Sequence, residues 1–199
     1  PAEVHPIFVV TGVEWLAATR PDLKRVALCS QEDMLGLPSL ASYRAAFAAE
    51  NMQVTHELRY APGACDAEAM VAAMLRDDPQ VLCWCSSEPH MVHALTEAAF
   101  HAGFRGPILS ATGDNYRRLV ARTSVAFMEN FTFHFPDFDD PALAGTAFFF
   151  RQPAAFHTAY QQRFPGHWSA VSWEYAAALD LWQQAVEIEQ PAVQLGRQL

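Results

Sequence analysis

The chain has 199 residues, 51% of them apolar, with a mean hydropathy of zero: enough for one substantial domain with a real core, or one domain plus part of another. Its 22 acidic and 13 basic side chains leave a net charge of −9, and the scattered cations argue against nucleic acid as a partner, because such a surface repels phosphate backbones. No apolar run approaches the roughly 20 residues of a membrane-spanning helix, so direct membrane insertion is not expected either.

Residues 1–6 carry no basic segment followed by an apolar stretch, and no export signal is read there. Val9, Val10, Val13, Leu16 and Ala17 recur at helical spacing, predicting a helix over 7–19 that Arg20-Pro21-Asp22 stops. Residues 25–29 read as a short apolar strand, followed by a loop over 30–36. Leu40, Tyr43, Ala46 and Phe47 predict a helix over 37–50, closed by Asn51, a residue that tolerates the left-handed conformation. A strand over 52–58 leads to the turn Tyr60-Ala61-Pro62-Gly63, and Asp66 is a suitable N-cap for a helix reaching Arg76.

The third unit is the clearest: a strand over 81–85, the loop Ser86-Ser87-Glu88, and a helix over 89–102 with proline in its first turn. A strand over 107–110 and the loop Thr112-Gly113-Asp114-Asn115 follow. Residues 130–135 alternate apolar and polar, and the acidic, proline-bracketed stretch 136–141 reads as a linker. Two helices over 153–164 and 169–188 close the chain, the second rich in aromatic residues. The last residues, 193–199, stop inside what reads as a further helix, so the chain is expected to be cut.

Strands alternating with helices of this length predict an α/β three-layer sandwich around a mostly parallel, doubly wound sheet. Such sheets bind ligands outside the carboxyl ends of their strands, which places function in the loops after Cys29, Cys85 and Ser110. Ser86, Ser87, Thr112 and Asp114 lie in those loops. Hydroxyls beside a helix N-terminus suit a carboxylate, and Asp114 suits a cationic group, although the same residue types also cap helices.

His93, Glu97 and His101 share one helix face opposite Met91, Leu95, Ala98 and Ala102, and are expected to form a solvated face, not a metal site. No cofactor is expected, and no Walker-type glycine loop is present. Nor is there a G-x-S-x-G elbow or an H-E-x-x-H pair, and the enzymatic alternative rests on Ser86 or Cys85 as a nucleophile. Cys83 and Cys85 point to the same face of one strand, and the cysteines are expected to be buried free thiols. A Cys29–Cys83 or Cys29–Cys85 disulfide stays open should the compartment be oxidising.

Five segments, in order, resemble those of one family. The segment 25–36, a strand and then Gln31-Glu32-Asp33-Met34-Leu35-Gly36, resembles the strand and "D-x-x-Y-G" segment of type I periplasmic binding proteins, nearest to the branched-chain amino acid branch that serves ABC transporters. Tyr60-Ala61-Pro62-Gly63-Ala64-Cys65-Asp66 is similar to the family's "Y-x-P-G-x-x-D" turn, and Asp78-Pro79-Gln80-Val81-Leu82 to its "N-P-D-x-V" segment. Ala99-Phe100-His101-Ala102-Gly103-Phe104 resembles its "A-x-x-x-G-L" helix ending, and 156–164 with 169–185 resemble its late paired helices.

The resemblance implies an extracytoplasmic, hinge-closing receptor, not an enzyme, that captures a small molecule between two lobes and presents it to a membrane permease. It implies that residues 1–135 are the second lobe, 136–141 the hinge, and 142–199 helices returning to a largely absent first lobe. Leu35 falls where the family often places an aromatic against the ligand, and Ser86 and Ser87 fall near the contact loop after the third strand. Thr112 falls where amino-acid binders tend to carry an acid for the ligand's ammonium, so Asp114 is the candidate substitute and an aromatic acid or an amide is as plausible a ligand as an amino acid. Trp173 is a candidate stacking wall. A cytoplasmic ligand-sensing domain on the same fold is the alternative.

Overall fold

The computed structural model describes residues 6–63, 66–111, 116–133, 152–166 and 175–187, the side chains of residues 6–8 aside. The chain divides into two compact units, Pro1–His134 and Phe135–Leu199.

The first unit runs α1 (Pro6–Thr19), β1 (Arg25–Gln31), α2 (Gly36–Ala49), β2 (Gln53–Tyr60), α3 (Ala67–Leu75), β3 (Val81–Ser86), α4 (Pro89–His101), β4 (Ile108–Ser110), α5 (Tyr116–Arg122), α6 (Val125–Met128) and β5 (Phe131–Phe133). The five strands form one sheet in the order β2-β1-β3-β4-β5, with every neighbouring pair parallel. The predicted doubly wound α/β architecture is what the chain adopts.

Alternation along the strands sorts their side chains onto two faces. Val26, Leu28, Val81, Cys83, Cys85 and Leu109 pack with Val9, Val13 and Leu16 of α1 and Leu40, Tyr43 and Phe47 of α2. Ala27, Cys29, Leu82, Trp84 and Ile108 pack on the other face with Val71 and Met74 of α3, Leu95 and Ala99 of α4, and Leu119 and Phe127. Both faces are covered over β1, β3 and β4, which are buried along nearly their whole length, whereas the edge strand β2 is mostly polar and only partly covered. This sorting removes one open possibility: Cys29 lies on the opposite face from Cys83 and Cys85, and all three are buried free thiols. Cys83 and Cys85 do share a face, the Cys85 thiol donating to the Cys83 sulfur at 3.8 Å with no disulfide between them.

Local signals explain the element ends. Asn51 closes α2 with φ of 56°, as its sequence position predicts. The Asp66 carboxylate accepts from the Ala69 amide at 3.0 Å and caps α3. Pro89 occupies the first turn of α4. Trp84, fully buried, donates its indole N–H to Thr96 Oγ1 at 3.1 Å, and Thr96 donates onward to the Val92 carbonyl at 2.6 Å.

Two expectations need correction. The strands β1, β2 and β3 extend past the apolar runs that announce them, taking in Ser30 and Gln31, Arg59 and Tyr60, and Ser86. Ladder pairing with neighbours carries polar residues into a strand where composition alone reads a loop. The His93–Glu97–His101 row is not a plain solvated face either: His93 is buried, and the largely covered Glu97 carboxylate pairs with Arg122 of α5 at 2.9 Å, while His101 and Ala102 are exposed. Helix α5, unannounced by the sequence pattern, supplies the cover.

In the second unit, α7 spans Pro153–Arg163. Its C-terminal turn brings the Tyr160 and Phe164 rings to 5.2 Å, with the Arg163 guanidinium 5.7 Å from the Phe164 centroid. A further helix, α8, covers 175–187 and carries Tyr175, Leu179, Trp182 and Val186 as an exposed apolar stripe while Asp180 is buried. The linker over 136–141 lies outside the described residues.

Candidate functional site at the strand ends

The strand order reverses at β1: the chain moves outward from β1 to β2, then crosses to β3 on β1's other side. Loops leaving β1 and β3 therefore diverge, and the carboxyl ends of these two strands open a crevice. Gln31 ends β1 opposite Tyr60 of β2, and Ser30 stands opposite Ser86 of β3. The Ser30 hydroxyl donates to the Gly36 carbonyl at 2.9 Å and, more weakly, to the Ser86 carbonyl at 3.4 Å, tying the β1–α2 loop to β3.

Asp33 organises that loop. Its Oδ1 accepts the Leu35 and Gly36 amides at 2.9 and 2.6 Å, and its Oδ2 accepts the Gln31 side-chain amide at 2.8 Å. Gly36 is required by close approach: a Cβ there would overlap the Gln31 carbonyl oxygen. The tight turn leaves Met34, Leu35 and Leu37 exposed, Met34 by 80% and Leu35 by 50%. On the other strand end, the Ser39 hydroxyl holds the Cys85 carbonyl, while Ser86 is half-buried and Ser87 buried.

Three polar atoms here are buried without a hydrogen-bond partner among the described residues: Gln31 Oε1, the Tyr60 hydroxyl and Ser87 Oγ. The Asp33 carboxylate fixes the Gln31 amide so that its nitrogen is engaged and its oxygen is left over; the flipped amide would set two acceptors against each other. Burial pushes the Tyr60 phenol up to about 12; the Ser87 hydroxyl opposes that rise, and Cys29, Glu88 and Asp33 add to it. The Tyr60 ring thus spans the end of β1 to reach the Ser87 hydroxyl, whose hydrogen-bonding influence on the phenol is outweighed by burial.

Of the sequence-derived candidates, the fold brings Leu35, Ser86 and Ser87 to this single edge. Thr112, Asp114 and Trp173 lie outside the described residues. Gln31 and Tyr60 stand in segments that carry the family resemblance, but neither is singled out as a site residue there because both read as loop or turn. Cys85 is fully buried, which withholds it from the nucleophile's role of the enzymatic alternative. A separate groove of about 530 Å³ lies between α3, α4 and α5, lined by Asp66, Glu68, Glu97, His101 and Arg122. Glu97 is paired with Arg122 there and Asp66 caps α3, and the strand ends, not this helical layer, carry the unsatisfied groups. Among the described residues no His, Cys, Asp or Glu group is arranged to hold a metal.

The sequence profile of the periplasmic binding protein family matches residues 4–192, nearly the whole chain. The chain belongs to the periplasmic binding protein family. Its fold is that of solved members. It superposes on a fatty acid ABC transporter substrate-binding protein from Thermomonospora curvata with a TM-score of 0.68 at 21% identity, over 87% of this chain and 44% of that one. A substrate-binding periplasmic protein from Ralstonia solanacearum gives 0.64 at 13% identity, over 83% and 45%. A branched chain amino acid ABC transporter periplasmic ligand-binding protein from Burkholderia xenovorans gives 0.58 at 14% identity, over 80% and 40%. The chain thus spans less than half the length of these solved relatives. The search of curated protein sequences gives no match. The chain is a member of the type I periplasmic binding protein class, and these neighbours are substrate- or ligand-binding proteins by their own descriptions. The family is extracytoplasmic; among the described residues no helix is long and apolar enough to cross a membrane.

Proposed function

We propose that this chain is part of the substrate-binding component of an ABC transporter, working in the periplasm or its extracytoplasmic equivalent. Residues 1–135 act as the second lobe, 136–141 as the hinge, and 142–199 as helices returning to the first lobe. The captured solute is small and polar or carboxylate-bearing, amino acid-like or an aromatic acid, and is handed to a membrane permease. Closure is a population shift: ligand contacts both lobes only in the closed form and so favours it.

The observation that carries this reading is the gathering of Gln31, Leu35, Ser86 and Ser87 at the crevice where the strand order reverses. An exposed apolar loop beside unsatisfied buried polar atoms is the pairing a small amphipathic solute needs: apolar lining for its body, a few fixed polar groups for its orientation. Thr112, Asp114 and Trp173 complete the proposed contact set. The exposed stripe on α8 supports a helix meant to pack on further structure, since four large apolar residues on one face are costly in water.

A thermal-shift screen of amino acids, aromatic acids and small amides tests the proposal. A solute present at a hundred times its Kd raises stability by about 2.7 kcal/mol through mass action. Leu35→Asp should abolish that shift. If no small molecule raises the melting temperature, the solute-binding reading fails.

A further inference from the structure

We propose that Cys83 and Cys85 are a redox-sensitive folding switch. Folded, the sheet shields both thiols and holds them unbonded; unfolded, the pair closes into a disulfide that the central strand does not accept. The inference concerns how the first unit is assembled and does not depend on the solute-binding reading above.

Geometry brings the pair together. Both thiols are fully buried on one face of β3, in the cluster with Leu28, Tyr43 and Phe47, and the Cys85 thiol meets the Cys83 sulfur at 3.8 Å. β3 is the middle strand of five, paired with β1 on one side and β4 on the other. Trp84, the residue between the two cysteines, pairs with Cys29 of β1 and Ser110 of β4. Its indole lies on the opposite face and donates to Thr96. The register with β1 shifts just beyond, so that Ser86 follows Trp84 in the pairing and Cys85 is passed over.

The same geometry opposes the bond. Side chains two residues apart leave a strand side by side, their β-carbons roughly 6.6 Å apart, twice the rise per residue. A disulfide needs β-carbons about 3.5–4.5 Å apart. Closing Cys83–Cys85 therefore shortens the backbone across Trp84, and its two ladder pairings and its Thr96 hydrogen bond cannot all survive. In the unfolded chain nothing holds Trp84 extended, and this pair closes the shortest loop of any two cysteines in the sequence. Cys29 faces the other side of the sheet and takes no part. Burial also pushes the Cys83 thiol well above its ordinary value, so the thiolate that exchange requires is scarce while the sheet stands.

The step is thiol–disulfide exchange with a low-molecular-weight disulfide as oxidant. One cysteine thiolate attacks a sulfur of the oxidant, forming a mixed disulfide and releasing one small thiolate. The other cysteine attacks the protein sulfur of that mixed disulfide, closing Cys83–Cys85 and releasing the second. The protein gives up two protons and two electrons, and the oxidant takes up both as two thiols. Excess small thiol reverses the exchange.

Oxidised glutathione is the probe. The chain is incubated with it folded and, separately, in denaturing urea, then quenched with acid. The tryptic segment 77–105, which holds Cys83 and Cys85 and no other cysteine, is weighed without reduction. It should lose two hydrogens in the unfolded chain, and at least about a hundredfold more slowly in the folded one, where exchange waits on opening of the central strand. The oxidised species with Cys29 and Cys65 still free, isolated by reversed-phase chromatography, should show no parental urea transition after dilution and should regain it on addition of dithiothreitol. A folded chain that forms the bond as fast as the unfolded one overturns the proposal, as does an oxidised chain that refolds with the parental midpoint. An unfolded chain whose segment keeps both thiols overturns it too, and so does a block that dithiothreitol fails to release.

Discussion

Single residues fix the site by what they exclude. Gly36 allows the β1–α2 loop to fold back on the end of its own strand, and any side chain there meets the Gln31 carbonyl. Gly36→Ala should cost at least the 1–3 kcal/mol typical of overpacking and should loosen the Asp33-centred turn, read as a lower urea midpoint together with weaker solute binding. Thr96 shows the complementary case. Its hydroxyl both receives the Trp84 indole N–H and donates to the Val92 carbonyl, so Thr96→Val keeps the shape but strands a buried donor. The expected loss is about 1–3 kcal/mol in chemical denaturation. None of this partnership is visible in the sequence, where Trp84 and Thr96 stand twelve positions apart on two elements, each reading as an ordinary core residue.

Elements are the scale at which the sequence speaks most clearly. The Asp66 cap of α3, the left-handed Asn51 and the proline opening α4 are all local devices, set by one to four consecutive residues, and the chain adopts each. Asp66→Ala should therefore lower stability by about 1 kcal/mol, measurable as a shift in denaturation midpoint without loss of the fold. Strand ends were less legible. Ser30, Gln31, Tyr60 and Ser86 belong to strands because parallel neighbours supply their backbone partners, a fact that no local pattern contains. Helix α5 was missed for a related reason. Its seven residues, Tyr-Arg-Arg-Leu-Val-Ala-Arg, bury one side chain, Leu119, too little periodicity to announce a helix, yet Arg122 is what turns the Glu97 face of α4 into an interior contact.

At the scale of the whole molecule, the buried thiols and phenols couple folding to alkaline pH. Burial raises Cys29 and Cys83 above their ordinary value of 9.0, and Tyr43 and Tyr60 above 10.0, Tyr60 to about 12. Raised values mean that the folded chain holds these protons after the unfolded chain has released them. Their stabilising effect is complete below pH 9 and declines as the pH climbs through 9 and 10, where the unfolded form gains by ionising. Urea midpoints should be flat from pH 7 to 8.5 and fall steadily from pH 9 to 11, and Tyr60→Phe should make the upper part of that decline shallower. A midpoint unchanged at pH 11 would contradict the burial of these groups.

The sequence by itself determined the doubly wound α/β class, the order of the strand–helix units, the face shared by Cys83 and Cys85, and the edge of the sheet where Leu35, Ser86 and Ser87 stand. These follow from periodicity and from chain direction, which are properties of neighbours along the chain. Only the tertiary structure decided that Cys29 lies across the sheet from the other two thiols, that His93 is covered, and that Gln31 and Tyr60 join Ser87 with unsatisfied oxygens. Those facts depend on which strands are adjacent and in what register. The β2-β1-β3 order brings together residues up to 56 positions apart, such as Ser30 and Ser86, through hydrogen bonds and burial that no short stretch of sequence encodes.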